Sequence, residues 1–210
     1  DTISAVHETV LRATHALHLR PLASVTVREA IRAEDGLCAA AEHAAGIVIG
    51  RAAASSRPAM IRLGVVARQL LRQLPRPVIV APPELTAIAP GPVLLATDLG
   101  PSGDRAVAFA RELASARGRP LAVLHVAESR YHHLIDEQGP AWVAAREVYH
   151  AETTAALADW AAAHGLAQAP QHLAYGDPPT RIAAVASELQ AAIVVVGSRH
   201  LGLLARAFLS

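Results

Sequence analysis

Short apolar runs separated by longer amphipathic, alanine-rich stretches constrain this chain most. Val93 to Thr97 (VLLAT), Leu121 to Val126 (LAVLHV), Gln171 to Tyr175 and Ile193 to Val196 each have the length of a strand. Between them lie Ser102 to Arg117, a stretch from about Trp142 to His164, and a segment opened by Asp177 and Pro178. In the first of these, Ala106, Phe109, Ala110, Leu113 and Ala114 share one face at helical spacing. Asp177 is placed to cap the helix that follows, with Pro178 in its first turn, where a missing N–H costs nothing. Strands that alternate with helices of this length pair in parallel, because each helix carries the chain back to the same end of the sheet. The expected class is α/β, with a parallel sheet covered by helices.

The first half repeats the later part of this plan. Ser24 to Arg28 (SVTVR) reads as a strand like Gln171 to Tyr175, and Ala33 to His43 as the helix after it. GIVIG, ending at Gly50, corresponds to AIVVVG, ending at Gly197; the two glycines are 147 residues apart. Leu63, Val66, Ala67, Leu70, Leu71 and Leu74 then fall on one helical face, and Pro77 to Ala81 (PVIVA) reads as a fifth strand. Pro82, Pro83 and Pro90 mark a linker. The expected division is residues 1–82 as the C-terminal part of a first unit, 83–91 as linker, and 92–210 as a second unit lacking its last helix and strand. A parallel sheet without its central strand exposes backbone donors and acceptors. The expectation is therefore a fragment of a longer chain, or halves completed by another copy.

Composition narrows the chemistry. The chain has no lysine and no asparagine, so its 19 basic residues are all arginine, against 18 acids. Without lysine there is no Walker-type P-loop and no Schiff-base nucleophile. Without asparagine there is no N-glycosylation acceptor and no Cys-His-Asn constellation. The lone Cys38 excludes an internal disulfide and a cysteine-rich zinc site, and it suits the reducing cytoplasm. Charges are mixed, with a net charge of +1, so no nucleic-acid partner is expected. The apolar runs stop far short of the ~20 residues of a membrane helix, so no membrane partner is expected either. Among 11 histidines, His15 with His18 and His132 with His133 and Asp136 are the nearest approach to a ligand set. No HExxH-type spacing accompanies them, and no metal site is expected.

Three segments carry a family resemblance. They are PVLLATDLGPSGDRAVAFARELA, LAVLHVAE, and AAIVVVGSRHLGLLARAFLS with its counterpart GIVIGRAAASSRPAMIRLGVVARQLLRQLPRPVIVAPP. With these the chain resembles the universal stress protein family in its tandem, two-unit form. The resemblance implies an adenine-nucleotide alpha-hydrolase-like fold. That is an open five-stranded parallel sheet, order 3-2-1-4-5, with helices on both faces, repeated in tandem. It also implies a homo-oligomer or an intramolecular pseudo-dimer.

For nucleotide-binding members the resemblance implies an Asp at the end of strand one, backbone at the end of strand two, and a G-2x-G-9x-G-[ST] loop after strand four. Thr97, Asp98 and Val126 stand at the first two places and Gly197 at the first loop glycine. His200 holds the second glycine position, with Gly202 two residues on and Arg199 or Arg206 placed near phosphate; Ser210 stands at the third glycine position. In the first unit Ala53 and Val65 replace a glycine and the hydroxyl residue, which implies a non-binding copy. Backbone N–H groups freed by glycine, next to a helix N-terminus, are suited to phosphate.

The implied function is a stress-response regulator that binds ATP, with Mg²⁺, or a related adenine nucleotide. No general base or metal-holding pair is legible, so any hydrolysis is expected to be weak. The competing reading is an oligomeric interaction module that binds no nucleotide. In it Asp98 caps a helix, Gly197 is a turn glycine and His200 obstructs the loop. A pyrophosphatase of the same wider fold would need an SGGxDS-type loop where TDLGPSGD stands.

Overall fold

The computed structural model describes residues 4–5, 8–9, 26–50, 66, 70–71, 76–82, 85–127 and 140–197. The chain divides into two compact units, Asp1–Pro83 and Glu84–Ser210.

In the first unit, helix α1 (Ala33–Ala41) precedes strands β1 (Ile47–Gly50) and β2 (Val78–Ala81). The strands pair in parallel, from Ile47 opposite Val78 to Gly50 opposite Ala81. Ile47, Ile49 and Val78 pack with Leu37, Cys38 and Ala41 of α1 and with Val66 and Leu70. Val66, Leu70 and Leu71 are helical, and Leu70 is fully buried. The neighbouring positions of that face lie outside the described residues. The strand expected at Ser24 to Arg28 is not found in its described part, since Thr26 to Arg28 have no regular structure. A strand is held by its neighbour's ladder, and the one ladder among the described residues of this unit is β1 with β2.

The second unit runs β3 (Val93–Thr97), α2 (Pro101–Arg117), β4 (Leu121–Ala127), α3 (Pro140–Ala163), β5 (Gln171–Tyr175), α4 (Pro178–Glu188) and β6 (Ile193–Val196). All four strands are parallel, in the order β5-β4-β3-β6. β3 is a continuous apolar run because both its faces are covered, and all five of its residues are buried. Val93 and Leu95 join Val123 and Val195 against α2 and α3, through Ala106, Ala110, Leu157 and Trp160. Leu94 points the other way and joins Ala122, Leu124 and Ala174 against Val185 of α4. The alanine stripe of α2 lets that helix lie close to the sheet. Asp177 caps α4 by accepting from the backbone N–H of Thr180 at 3.1 Å.

Counted by position within the unit, the observed order is 3-2-1-4, the first four places of the expected 3-2-1-4-5. The single five-stranded sheet is not observed among the described residues, whose strands divide between a four-stranded and a two-stranded sheet. Residues 198–210, after Gly197, lie outside the described residues.

Candidate functional site

The chain steps outward from β3 to β4 to β5, then returns to form β6 on the other side of β3. The connection out of β3 through α2 and the connection into β6 through α4 therefore lie on different sides, and a crevice opens at the carboxyl ends of the strands. A cleft of about 190 Å³ lies there. Its walls are Ala96, Leu124, Val126, Val196 and, from α4, Pro178 and Ile182. Thr97, Asp98 and Ser102 supply its polar side chains, and Gly103 and Gly197 supply backbone. Four residues singled out from the sequence, Thr97, Asp98, Val126 and Gly197, thus line one cleft. Arg199, His200, Gly202 and Ser210 lie outside the described residues, as do His15, His18, His132, His133 and Asp136.

The turn from β3 into α2 is tight, and its hydrogen bonds are local. Thr97 Oγ1 accepts from the Leu99 N–H at 2.9 Å. Asp98 Oδ1 accepts from the Gly100 N–H at 3.1 Å, and Oδ2 from the Ser102 hydroxyl at 2.8 Å. Leu99 sits at φ +59°, in the left-handed region, which costs a leucine about 1–2 kcal/mol. Such strain is held only where surrounding bonds over-determine the turn, as Thr97 and Asp98 do here. Asp98 is therefore a turn residue, exposed and held against Gly100, the N-cap of α2. Across the ladder, His125 donates from Nδ1 to the Thr97 carbonyl at 2.9 Å and fixes the end of β3.

Two glycines let the walls meet. A Cβ on Gly197 would lie 2.1 Å from the Ser102 carbonyl oxygen and 2.4 Å from its carbon. A Cβ on Gly103 would lie 2.2 Å from Thr97 Oγ1. The end of β6, the first turn of α2 and the end of β3 are thus in direct contact at the cleft. Sequence reasoning missed Ser102, Gly103, Pro178 and Ile182. The signal for the first two was the pair of small residues directly after the Asp98 turn.

Asp98 is the one charged side chain on the described lining. Among the described residues, no group of three or more His, Cys, Asp or Glu side chains could hold a metal ion. None of the described helices is long and apolar enough to cross a membrane. At the mouth of α4, the Thr180 hydroxyl and then its backbone N–H hold the Asp177 carboxyl below its ordinary value.

Fold and cleft together define a parallel α/β protein with a crevice at its topological switch point. The family model described as the universal stress protein family matches residues 91–210, more than half of the chain. The chain belongs to the universal stress protein family. No curated protein matches it. Among solved structures, a universal stress protein from Archaeoglobus fulgidus is similar at 22% identity and a TM-score of 0.62, over 91% of this chain. A Pseudomonas aeruginosa protein assigned to the same family is similar at 18% identity and a TM-score of 0.60, over 90% of this chain. This chain covers 66% of the length of either. These likenesses show the fold. A universal stress protein in complex with cAMP matches at 25% identity over 58% of this chain, with a TM-score of 0.35, too low to carry its site across.

Proposed function

We propose that the second unit binds ATP or a related adenine nucleotide in this cleft, and that the protein is a cytoplasmic stress-response regulator with weak hydrolysis at most. The observation that carries the reading is the convergence of Thr97, Asp98, Val126 and Gly197 on a single crevice with apolar walls. Small-molecule sites usually enclose about 300–1,000 Å³. The described cleft, at about 190 Å³, matches the base and part of the sugar. The purine lies against Leu124, Val126 and Ile182, and a ribose hydroxyl donates to Asp98. The phosphates extend toward the segment after Gly197, to Arg199, His200, Gly202 and Ser210. Magnesium arrives on the phosphates, since one carboxylate is all the described lining offers and Mg²⁺ needs no more from a protein. We further propose that residues 1–82 are the later part of a first, non-binding unit. The parallel pairing of β1 with β2 behind Gly50 supports this.

Isothermal titration with ATP and Mg²⁺ tests the reading. One site per chain is expected. Asp98→Asn, which keeps an acceptor for the turn, is expected to weaken binding about 10- to 100-fold, the worth of a hydrogen bond to a charged group. Absence of binding at about millimolar nucleotide would exclude the reading. It would favour the oligomeric interaction module, which the local engagement of both Asp98 oxygens also supports.

A further inference from the structure

We propose that His125 is a positioning residue for the cleft: from the far face of the sheet it holds the Thr97–Asp98 peptide and so sets where Asp98 meets a ligand. The role rests on the nucleotide reading. Leu124 and Val126 line the cleft, and both pack in the core that includes Val185 and Ile182 of α4. Val123 packs in the other core, with Val93, Leu95 and Trp160. Successive strand residues face opposite ways, so His125 shares the face of Val123 and turns its ring away from the cleft. It is half-buried and is not part of the described lining.

The sheet alone holds the end of β3 on one side. Its register with β6 stops at Ala96 opposite Val196, so among the described residues Thr97 has one registered neighbour, His125 of β4. The His125 side chain adds a bond there, with Nδ1 2.9 Å from the Thr97 carbonyl oxygen. A carbonyl only accepts, so Nδ1 donates. The peptide unit is planar from one Cα to the next. A bond that pins the Thr97 oxygen therefore also pins the Asp98 nitrogen and Cα. At its other end the Asp98 carboxylate is held by the Gly100 N–H and the Ser102 hydroxyl. Asp98 is thus fixed at its backbone from β4 and at its side chain from the start of α2. Leu99 follows at φ +59°, and a left-handed leucine keeps its place only where its neighbours are fixed.

Without the His125 donor, the carbonyl of the buried Thr97 loses a partner, and the Thr97–Asp98 peptide turns to find another. Leu99 then relaxes, and the carboxylate moves with the turn. No lining side chain changes, so the cleft walls keep their chemistry. Affinity falls because the acceptor has to be ordered when the ligand arrives. The requirement is specific to one atom. An asparagine amide nitrogen stands as many bonds from Cβ as Nδ1 and can donate to the same oxygen, whereas leucine has no donor. Glutamine carries its amide one carbon further out, past that oxygen.

The test reads the Gly100 amide by NMR in the absence of nucleotide, since that N–H donates to Asp98 Oδ1. Its signal is expected to move in His125→Leu and to return close to its wild-type position in His125→Asn. A signal that stays in place in His125→Leu, or moves as far in His125→Asn, overturns the proposal. Titration with ATP and Mg²⁺ is the second arm. His125→Leu is expected to weaken binding about 3- to 10-fold, the worth of one neutral hydrogen bond, and His125→Asn to restore most of it. Added to Asp98→Asn, His125→Leu should cost little more, because its effect runs through that carboxylate. Full additivity overturns the route through Asp98. Restoration by His125→Gln as complete as by His125→Asn overturns the assignment to Nδ1. Where His125→Leu does not fold, His125→Gln takes its place in both arms. Absence of nucleotide binding in the wild type overturns the functional reading instead, and the Gly100 signal still decides whether His125 holds the turn.

Discussion

Gly50 and Gly197 close similar apolar runs, GIVIG and AIVVVG, yet their described surroundings are opposite. Alanine at each position therefore separates what the motif implies from what packing requires. At Gly197 the new methyl would stand 2.1 Å from the Ser102 carbonyl oxygen, and ordinary contact begins at 3.4 Å. The end of β6 and the first turn of α2 must separate by about 1.3 Å, and both partners are backbone, so no side chain can swing away. Overpacking of this kind costs about 1–3 kcal/mol. The rigid neighbours place Gly197→Ala at the upper end, about 3 kcal/mol, or a fall in Tm of about 6–12 °C for a chain of this size. At Gly50 nothing among the described residues lies within 4 Å of the added methyl. There alanine relieves the entropy of a strand glycine, and a gain of about 0.5–1 kcal/mol is expected. Urea and thermal unfolding followed by circular dichroism measure both variants, with nucleotide titration on the same samples. Equal stability of the two variants would refute the packing argument. A Gly197→Ala protein that melts like the wild type but binds nucleotide poorly would return that glycine to a purely phosphate-facing role.

Two further outcomes follow from single side chains. Asp177→Ala removes the α4 cap, so its Tm should lie below that of the wild type at neutral pH. Thr180 lowers the Asp177 pKa from its ordinary 3.8, so the folded state binds this proton less readily than the unfolded chain. The stabilisation is thus present above that value and lost as pH falls through the folded one. Thermal melts should show the gap close in acid, and a gap that persists there contradicts the assignment. Tyr175→Phe deletes a buried hydroxyl that has no hydrogen-bond partner among the described residues. Burial, and then Tyr149, raise the pKa of that hydroxyl. The variant should match or exceed wild-type stability by up to about 1 kcal/mol in urea titration. A clear loss would point to Thr153, which acts on the same hydroxyl in the opposite direction.

The sequence shows strands better than it shows sheets. VLLAT, LAVLHV and IVVV are legible because a strand buried on both faces must be apolar throughout, and no helix of four to seven residues competes with that reading. The Asp177–Pro178 start of α4 is legible because capping is local chemistry. SVTVR misled because alternation and β-branching describe a residue's fitness for a sheet, not the presence of a neighbour to pair with. The division into two sheets has the same origin: pairing depends on what lies alongside, and no window of sequence contains it. Half of the predicted site, from Thr97 to Gly197, converges because strand ends in a parallel sheet must converge. Pro178 and Ile182 escaped notice because α4 brings them in from elsewhere in the chain, whereas Ser102 and Gly103 directly follow the Asp98 turn.

Asp98 shows why position alone leaves its role open. A carboxylate that follows an apolar strand and precedes a helix is where a ligand's hydroxyl would be met, and equally where a helix turn needs an acceptor. The two roles are one construction here. Gly100 and Ser102 draw the carboxylate against the turn, which fixes its direction, and that turn tolerates a left-handed Leu99. A side chain held so firmly would lose little entropy on meeting the proposed ligand, so the turn would contribute to affinity by ordering the acceptor beforehand. Gly197 follows the same logic. By letting the end of β6 touch the Ser102 carbonyl it closes the floor of the cleft. The turn and the packing are thus the means by which a cleft with one described charge would recognise the proposed nucleotide.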